Sequence, residues 1–500
     1  MTTPSVIIIG AGLAGLSAGC YAQGNGFRSQ IFEHHSAPGG VAAAWRRGHY
    51  LVDGGIHFLM GHRPGPSVHD LYRELGIPQA CRFVDLRTLG CWRDETTGRQ
   101  LELTDDLDHL AAQAQALSPG DARFTDALVA GARKMQGLDL SQVGLSQPPE
   151  MTTPWAQLRE MWGIRRLWRF FSGPYARSMK EFCAEMESPW LRRCLETLFL
   201  PETPVWFVLM LLAMLADGQL GLLEDGSLAF ARAIEQRYQA LGGQVTYRAT
   251  VDKVLVEGDR AVGVRLADGS EHRADAVISA ADGHSTVFDL LGGRYADQGI
   301  RQRYDAWPLV RPAVTVSLGV RRLFADQAPF QTVALAQPLG VAGSPCPELM
   351  LRLFNYSPRF APAGKTVLQV WCETDWEPWR ALADDRPRYQ AEKDRLLAGV
   401  VAALERLYPG LAAQVEMTDV ATPYTVWRYT RNWRGAYMAW LFTPQFMQQS
   451  IRRTLPGLQH FYMAGQWVIG GGVSSALTSG RHAVQLLCRQ QRQPFHLLTR

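Results

Sequence analysis

The first residues that could do chemistry are three glycines near the start of the chain, Gly10, Gly12 and Gly15, in the spacing G-x-G-x-x-G. In this pattern the first glycine permits a tight turn and the second lets the backbone approach a pyrophosphate. The third lets a helix pack close to the preceding strand. Glu33 follows near the expected distance of about 20 residues, where a carboxylate can hydrogen-bond ribose hydroxyls. An arginine there would indicate a 2′-phosphate, so Glu33 argues against one.

The residues around these glycines predict the strand, turn and helix that a dinucleotide site needs. Residues 6–9 form an uninterrupted apolar run, typical of a parallel strand buried on both faces. A helix is predicted over roughly residues 13–25, with its N-terminal amides facing the phosphates. A second strand over 29–32 delivers Glu33. The alternative is a βαβ unit that binds nothing, and the register of all four features favours an occupied site.

Two further segments bear on whether the ligand is NAD or FAD. The run PGGVAAAWRRGHYLVDGGIHFLMG, residues 38–61, resembles the second flavin motif of the phytoene desaturase and carotenoid isomerase-like FAD oxidoreductases, within the amine oxidase-like superfamily. The run HFYMAGQWVIGGGVSSALTSGRHAVQLLCR, residues 460–489, resembles the C-terminal flavin motif of that family. The meander over 242–287 fits between them. Because remote motifs agree on one cofactor, we expect FAD.

The resemblance implies a set of FAD contacts. The backbone of Val251 would contact adenine. Arg46, which follows Trp45, could reach phosphates or substrate. Where many superfamily members carry an acid, this chain has Gln466, which can still hydrogen-bond a ribityl hydroxyl. The predicted cofactor-binding residues are Gly10, Gly12, Leu13, Ala14, Gly15, Glu33, His34, Gly39, Gly40, Trp45, Arg46, Val251, Gly465, Gln466, Gly472, Val473 and Ala476.

The resemblance also implies a domain that is discontinuous in sequence. We expect an α/β fold whose Rossmann-type FAD-binding domain comprises residues 1–75, 220–290 and 455–490. A largely helical insertion would cover 76–219, and a mixed α+β, substrate-binding insertion would cover 291–454.

Composition excludes several other classes of protein. The chain has 500 residues, of which 47% are hydrophobic and 20% charged, with a formal net charge of +4. No Lys/Arg cluster indicates a nucleic-acid partner. The eight cysteines lack metal-ligand spacing, and the twelve histidines form no metal constellation, so we predict no metal site. We expect reduced thiols in a cytoplasmic protein, and no signal peptide because Ser5 already enters the fold.

An apolar run bears on the substrate and on membranes. VWFVLMLLAMLA, residues 205–216, has twelve residues, whereas a membrane span needs about 20. It predicts a buried helix beside an apolar cavity. Upstream, residues 161–182 interleave aromatic and basic side chains, as in a helix lying on anionic lipid. We favour the alternative, in which that helix packs on its own protein, and peripheral membrane contact stays open.

The run YTVWRYTRNWRGAYMAW, residues 424–440, predicts an aromatic wall before the last flavin motif. Trp427, Tyr429 and Trp433 are the expected substrate-binding residues, because such rings suit a long apolar or conjugated ligand. Core packing is an equally good explanation of each ring taken singly. His57, which follows the second flavin segment, and Tyr437 are the catalytic candidates.

These features lead to a functional hypothesis and two alternatives. FAD carries hydride chemistry, and the resemblance implies desaturation, saturation or isomerisation of a carotenoid, isoprenoid or acyl chain. No second dinucleotide fingerprint occurs, so oxygen or a quinone would reoxidise the flavin, or the cycle would be redox-neutral. One alternative is a flavin amine oxidase. The other is a non-enzymatic prenyl-binding protein of the GDP-dissociation-inhibitor type, against which the intact glycines and Glu33 speak.

Overall fold

A computed structural model describes residues 3–139, 146–153, 155 and 168–498 of the chain. The strands are β1 Ser5–Ile9, β2 Arg28–Phe32, β3 Ala44–Arg47, β4 Tyr50–Asp53, β5 Leu59–Met60, β6 Phe83–Asp85, β7 Thr88–Asp94, β8 Gln100–Thr104, β9 Leu220–Leu223, β10 Gln244–Thr246, β11 Val251–Glu257, β12 Arg260–Leu266, β13 Glu271–Arg273, β14 Ala276–Ser279, β15 Ala313–Val320, β16 Phe330–Val341, β17 Ser344–Leu353, β18 Thr366–Glu373, β19 Val415–Ala421 and β20 Phe461–Met463.

The α-helices lie between and after these strands. They are α1 Leu13–Gly24, α2 Ser67–Glu74, α3 Ile77–Ala80, α4 Leu107–Leu117, α5 Ala122–Met135, α6 Met179–Phe182, α7 Pro189–Glu196, α8 Val205–Ala216, α9 Gly226–Ala240, α10 Gln298–Ala306, α11 Trp376–Ala383, α12 Arg386–Leu407, α13 Pro423–Thr430, α14 Pro444–Met447, α15 Gln466–Ile469 and α16 Val473–Gln490.

A parallel sheet in the order β10-β2-β1-β14-β20 forms the nucleotide-binding part of the fold. The apolar run of β1 is buried throughout residues 6–9, as a central strand covered on both faces requires. On one face α1 packs between α16 and α9. The α/β class and the Rossmann-type sheet predicted from the sequence are confirmed. The strands of this sheet come from all three segments that were predicted to build it.

A second, mixed sheet in the order β19-β15-β18-β17-β16-β7-β8 lies beside the first. Its strands β7 and β8 come from the segment that the sequence indicated as largely helical. Strand β7 pairs in parallel with β16, so that Cys91 lies opposite Gln331. The two predicted insertions therefore share one sheet rather than forming separate units, and the boundaries between them stay a prediction.

Helix α8 accounts for the apolar run of twelve residues. A helix that is apolar on every side is a buried one, and the buried residues of α8 include Val208, Leu209 and Leu212. It packs against α5 and ends before Gly218, whose φ of 65° is the left-handed conformation that favours glycine at a helix end. Among the residues that the structure describes, no helix is long and apolar enough to cross a membrane.

The segment with mixed aromatic and basic residues is described only in part, because residues 161–167 lie outside the described residues. In the remainder, Phe170 is fully buried, and the Arg169 guanidinium lies 4.9 Å from the centre of its ring. The ring of Phe171 contacts that of Trp206 in α8, with 5.0 Å between centroids. This part of the segment packs on the protein itself.

Candidate functional site

A cavity of about 1400 Å³ extends from the carboxyl ends of β1, β2 and β14 to the inner face of α8. Ligand pockets commonly measure about 300–1,000 Å³, so this cavity has room for a large cofactor together with a second ligand. Its lining changes along its length, from glycines and polar groups at the nucleotide sheet to aromatic and methionine side chains at α8.

The three glycines of the fingerprint serve three different purposes. Gly10 has a φ of 95°, which other residues rarely adopt. A Cβ on Gly15 would lie 1.9 Å from the carbonyl oxygen of Gly10, so this glycine allows α1 to pack on the turn. Gly12 has an ordinary φ of −67°, and a Cβ there would meet nothing within 4 Å. It lines the cavity, and its missing side chain leaves space for a ligand at the start of α1.

Glu33 is buried at the end of β2, where it fixes the neighbouring turns. Its Oε2 accepts a hydrogen bond of 2.6 Å from the amide of Ala11, and its Oε1 accepts one of 2.7 Å from the amide of His35. The carboxylate lines the cavity, and each oxygen retains a lone pair. Glu33 therefore has a structural function that the sequence did not indicate, and its contact with a ribose stays a prediction.

Most of the predicted cofactor-binding residues line the cavity, and three do not. Gly15 lies behind the turn, as described above. Trp45 and Arg46 lie on β3, where the Trp45 indole donates a 3.2 Å hydrogen bond to Asp419 and Arg46 is exposed. The hairpin of β3 and β4 thus carries both side chains away from the cavity. The lining includes Gly10, Gly12, Leu13, Ala14, Glu33, His34, Gly39, Gly40, Val251, Gly465, Gln466, Gly472, Val473 and Ala476.

Two positive-φ glycines place the C-terminal segment at the cavity. Gly465, which follows β20, has a φ of 103°, and its amide donates a 2.7 Å hydrogen bond to Ser479 Oγ. Gly472 has a φ of 112° and directly precedes α16, which begins at Val473. The first turn of α16 therefore faces the cavity with its free amides. These residues fit a flavin cofactor, because glycines, backbone amides and apolar contacts alternate along an extended cradle.

A buried polar network fixes the loop from Gly54 to His57 on the opposite wall. The Asp53 carboxylate accepts hydrogen bonds from the amide and hydroxyl of Ser227, at 2.8 and 2.7 Å, and from the amide of Gly55 at 2.9 Å. Arg352 of β17 donates from Nη2 to the carbonyl of Ile56 at 2.8 Å. The loop is held on both sides and presents His57 to the cavity.

His57 and Tyr437 both pack edge-on against the indole of Trp371. The ring centroids of His57 and Tyr437 lie 4.6 and 5.2 Å from that of Trp371. Burial and the nearby charge of Arg352 lower the pKa of His57 to about 3. Burial and the negative charge of Glu373 raise the pKa of Tyr437 above its usual value. At neutral pH the site therefore holds a neutral imidazole and a protonated phenol.

The predicted aromatic wall is divided between two regions. Trp427 lines the cavity close to the nucleotide end, where the carbonyl of Arg428 contacts His34 Nε2 at 3.2 Å. Tyr429 is 44% exposed and lies outside the lining. The Trp433 ring stacks on His284, with 4.6 Å between centroids, away from the lining. Of the three expected substrate-binding residues, Trp427 lines the cavity and Tyr429 and Trp433 do not.

An apolar arm of the cavity continues past Tyr437 towards α8. The lining residues of α8 recur at helical spacing, so one face of the helix lines the cavity while the other packs in the core. The ring of Phe207 stacks on Phe442 with centroids 5.9 Å apart. The side chains of this arm include Phe171, Phe199, Trp206, Phe207, Met210, Met214 and Phe442.

Asp282, three residues after the end of β14, is an ionisable group that sequence reasoning missed. Its carboxylate accepts hydrogen bonds from the amides of Ser285 and Trp433, each at 2.8 Å. Burial raises its pKa to about 7 despite these bonds. Arg352 and Trp371 were missed as well, although Arg352 is the single polar residue of the run from 349 to 353 and Trp371 is the single aromatic residue of β18. No metal-binding group of His, Cys, Asp or Glu occurs among the described residues.

Comparisons with known proteins agree with this geometry. The family model for flavin containing amine oxidoreductase matches residues 13–488. The chain is 23% identical over 527 aligned positions to the lycopene-forming phytoene desaturase of Paracoccus sp., covering 97% of both chains. It is 25% identical to the chloroplastic prolycopene isomerase of Arabidopsis thaliana over 47% of this chain and 40% of the isomerase.

A solved structure shows the same fold across the chain. Cyclohexylamine oxidase from Brevibacterium oxydans superposes with a TM-score of 0.62 at 15% sequence identity, over 98% of this chain and 100% of the oxidase. At this identity the likeness shows the fold and does not decide the substrate.

Proposed function

We propose that this chain, which belongs to the flavin-containing amine oxidoreductase family, desaturates, saturates or isomerises carbon–carbon bonds in a long apolar substrate. The chain is an FAD-dependent oxidoreductase. The residues that would hold FAD are the cradle from Gly10 to Ala14, Glu33, and the start of α16. When bound, FAD supplies hydride transfer, and the protein provides binding, orientation and exclusion of water.

The observation that carries the proposal is the apolar arm, which is continuous with the FAD cradle. A long chain without charge gains binding free energy from buried apolar area, at about 25 cal/mol per Å². Aromatic faces such as those of Phe207 and Phe442 also stack favourably on conjugated double bonds. The arm would therefore select length and apolar character, while the cradle fixes the end at which reaction occurs.

The names of two relatives support the same class of substrate. One is a phytoene desaturase and the other a prolycopene isomerase, so both names concern carotenoid double bonds. The shared sequence covers nearly the whole desaturase but less than half of the isomerase. Other prolycopene isomerases align with 86% of this chain, so the length of the alignment does not separate desaturation from isomerisation, and the choice between them is part of the proposal.

The polar residues at the reaction end also suit this chemistry. His57 is neutral, so it neither requires nor provides a charged partner at neutral pH. Arg352 is buried near it, and a positive charge in this position disfavours a protonated amine. Amine oxidation is therefore the less favoured reaction, and observing it would overturn the proposal.

The test is anaerobic mixing of the purified holoprotein with candidate substrates while flavin absorbance is followed. The panel comprises carotenoid precursors, retinoids, unsaturated fatty acids and amines, with product analysis to detect redox-neutral isomerisation. Turnover of a polyene or unsaturated chain supports the proposal. Bleaching by an amine, with no turnover of any other compound, overturns it. Oxygen and quinones are then compared as acceptors for the reduced protein.

A matched pair of variants tests the apolar arm. Met210→Trp places a larger ring in the arm and should reduce turnover of long substrates, because an enlarged side chain in a packed site excludes its ligand. Leu323→Trp, at a residue that is 64% exposed and outside the lining, is the control. Equal loss in both variants, or no loss in Met210→Trp, would contradict the assignment of the arm.

A further inference from the structure

Two polar side chains face the cavity beside Trp371 with no hydrogen-bond partner. His57 and Tyr437 both line the cavity, and in the part of the chain that the structure describes neither the imidazole nor the phenol is hydrogen-bonded to a protein group. Both contact the same indole ring, from which their centroids lie 4.6 and 5.2 Å away. The two ring centroids are therefore less than about 10 Å apart, a span that one ligand oxygen between an imidazole N–H and a phenol O–H can bridge.

The two groups offer hydrogen bonds without carrying charge. Neutral histidine has one N–H donor and one nitrogen acceptor, and the phenol of tyrosine donates through its O–H. A purely hydrocarbon ligand in this part of the cavity would remove water from both and leave them unpaired. Buried polar groups without a partner are unfavourable, and proteins contain few of them.

The local charge decides which partner is favoured. Arg352 is 3% exposed, and its Nε and Nη1 have no hydrogen-bond partner among the described residues. The nearby Asp53 carboxylate is occupied by Ser227 and Gly55. Glu373, beyond Tyr437, lies 3.7 Å from Arg311. The excess of positive charge beside His57 favours an oxygen that bears partial or full negative charge.

We propose that His57 and Tyr437 bind a carbonyl-type oxygen of the substrate. The substrate is then a long apolar molecule that carries an aldehyde, ketone or carboxylate near its reacting bond, not a plain hydrocarbon. This inference rests on the proposed function, because it names the substrate class of the same site. A site built to hydrogen-bond a ligand discriminates strongly against an analogue that lacks the group.

The experiment compares ligands that are matched in length and differ in the oxygen. One set is axerophtene, retinal and retinoic acid, with twenty carbons each, and the second is lycopene and its terminal aldehyde lycopenal. Dissociation constants are measured by titration into the holoprotein, following the visible absorbance of the polyene. We expect an oxygenated ligand to bind about tenfold more tightly than its hydrocarbon, which corresponds to one good hydrogen bond.

Tyr437→Phe keeps the ring against Trp371 and removes only the hydroxyl. It should weaken binding of the oxygenated ligand about 3- to 10-fold and leave the hydrocarbon unchanged. The absorption band of the bound aldehyde should also move to shorter wavelength in this variant, because its carbonyl loses a hydrogen bond. Tyr429→Phe is the control, since Tyr429 is exposed and outside the cavity.

Each outcome decides the inference. Tighter binding of retinal or lycopenal with a loss in Tyr437→Phe supports a neutral carbonyl, and a larger effect with retinoic acid supports a carboxylate. Equal affinity for hydrocarbon and oxygenated ligand, or an equal effect of Tyr437→Phe on both, overturns the inference. If hydrocarbons are also turned over, the proposed function survives that result. If no polyene binds at all, this inference fails, whereas the proposed function fails only if the unsaturated fatty acids of the panel are not turned over either.

Discussion

Gly12 is the position at which the structure separates cofactor binding from folding. Its φ of −67° and ψ of 173° suit any residue, and a Cβ there has no neighbour within 4 Å. Gly12→Val should therefore leave the folded apoprotein intact. Replacing glycine at a compatible position stabilises a protein by about 0.4–1 kcal/mol, because the unfolded chain loses freedom. We expect the apoprotein of this variant to be at least as stable as the wild-type apoprotein.

The same substitution should severely weaken FAD binding. The branched side chain occupies the space in which the backbone approaches the pyrophosphate. Overpacking of about 1–3 kcal/mol corresponds to an affinity loss of about 5- to 150-fold. A ligand at 100 times its dissociation constant stabilises a protein by about 2.7 kcal/mol, so the variant should lose most of this stabilisation.

The assay compares urea unfolding with and without added FAD. Flavin content is measured from the absorbance at about 450 nm, a wavelength typical of oxidised flavins. Gly15→Ala is the contrasting variant, because its Cβ would lie 1.9 Å from the Gly10 carbonyl oxygen and should destabilise the apoprotein itself. Wild-type flavin content in Gly12→Val, or a destabilised apoprotein, would refute the reasoning.

Three more predictions concern stability. Glu33→Ala should lower the free energy of unfolding by about 1–3 kcal/mol, since the Ala11 amide loses its acceptor, and Glu33→Gln should cost less; equal urea curves would contradict this. Because the pKa of His57 falls from about 6.5 when unfolded to about 3, it destabilises the fold as pH drops below 6.5. His57→Phe should therefore lose up to about 2 kcal/mol less stability than the wild type between pH 7 and pH 5. An equal loss of stability in the two proteins over this pH range would contradict this prediction. Leu212→Ala should lower the free energy of unfolding by about 2–5 kcal/mol, because Leu212 packs in the core, and Met210→Ala by only about 1 kcal/mol, because Met210 lines the cavity. Similar losses in the two variants would contradict the assignment of one face of α8 to the core and the other to the cavity.

Local patterns in the sequence predicted the elements that local physics controls. The apolar run at residues 6–9, the fingerprint glycines and the buried character of α8 depend on neighbours within one strand or helix. The pairing of β7 with β16 depends on contacts between distant segments, and an alternating strand pattern does not identify its partner. Residues 76–219 therefore contain α4, α5 and α8, as the helical pattern indicated, and also the strands β6, β7 and β8, which it did not indicate.

Aromatic residues at the site show a similar division. The composition of residues 424–440 indicated rings but not the direction in which each side chain points. Helix α13 ends at Thr430, and irregular backbone follows, with Arg431 and Arg434 at φ of 60° and 54°. Tyr429, which lies in the helix before this break, is at the surface, whereas Tyr437, which lies beyond it, lines the cavity. A periodicity that holds within one helix could not predict positions on both sides of such a break.

The chemistry expected of His57 changes most between sequence and structure. A histidine beside a flavin motif suggests a proton donor, because its usual pKa lies near neutrality. Its loop is instead pinned by Arg352, which is 296 positions from Ile56 in sequence, and the guanidinium also lowers the pKa of His57. A group with a pKa of about 3 is a weak base at pH 7 and holds no proton to give as an imidazolium. It can still orient a substrate by hydrogen bonding. Desaturation would remove two hydrogens from the substrate, one as a hydride to bound FAD and one as a proton released to solvent or a stronger base, and His57 would only orient the chain. A mechanism that required an imidazolium at His57 as general acid is incompatible with a pKa of about 3.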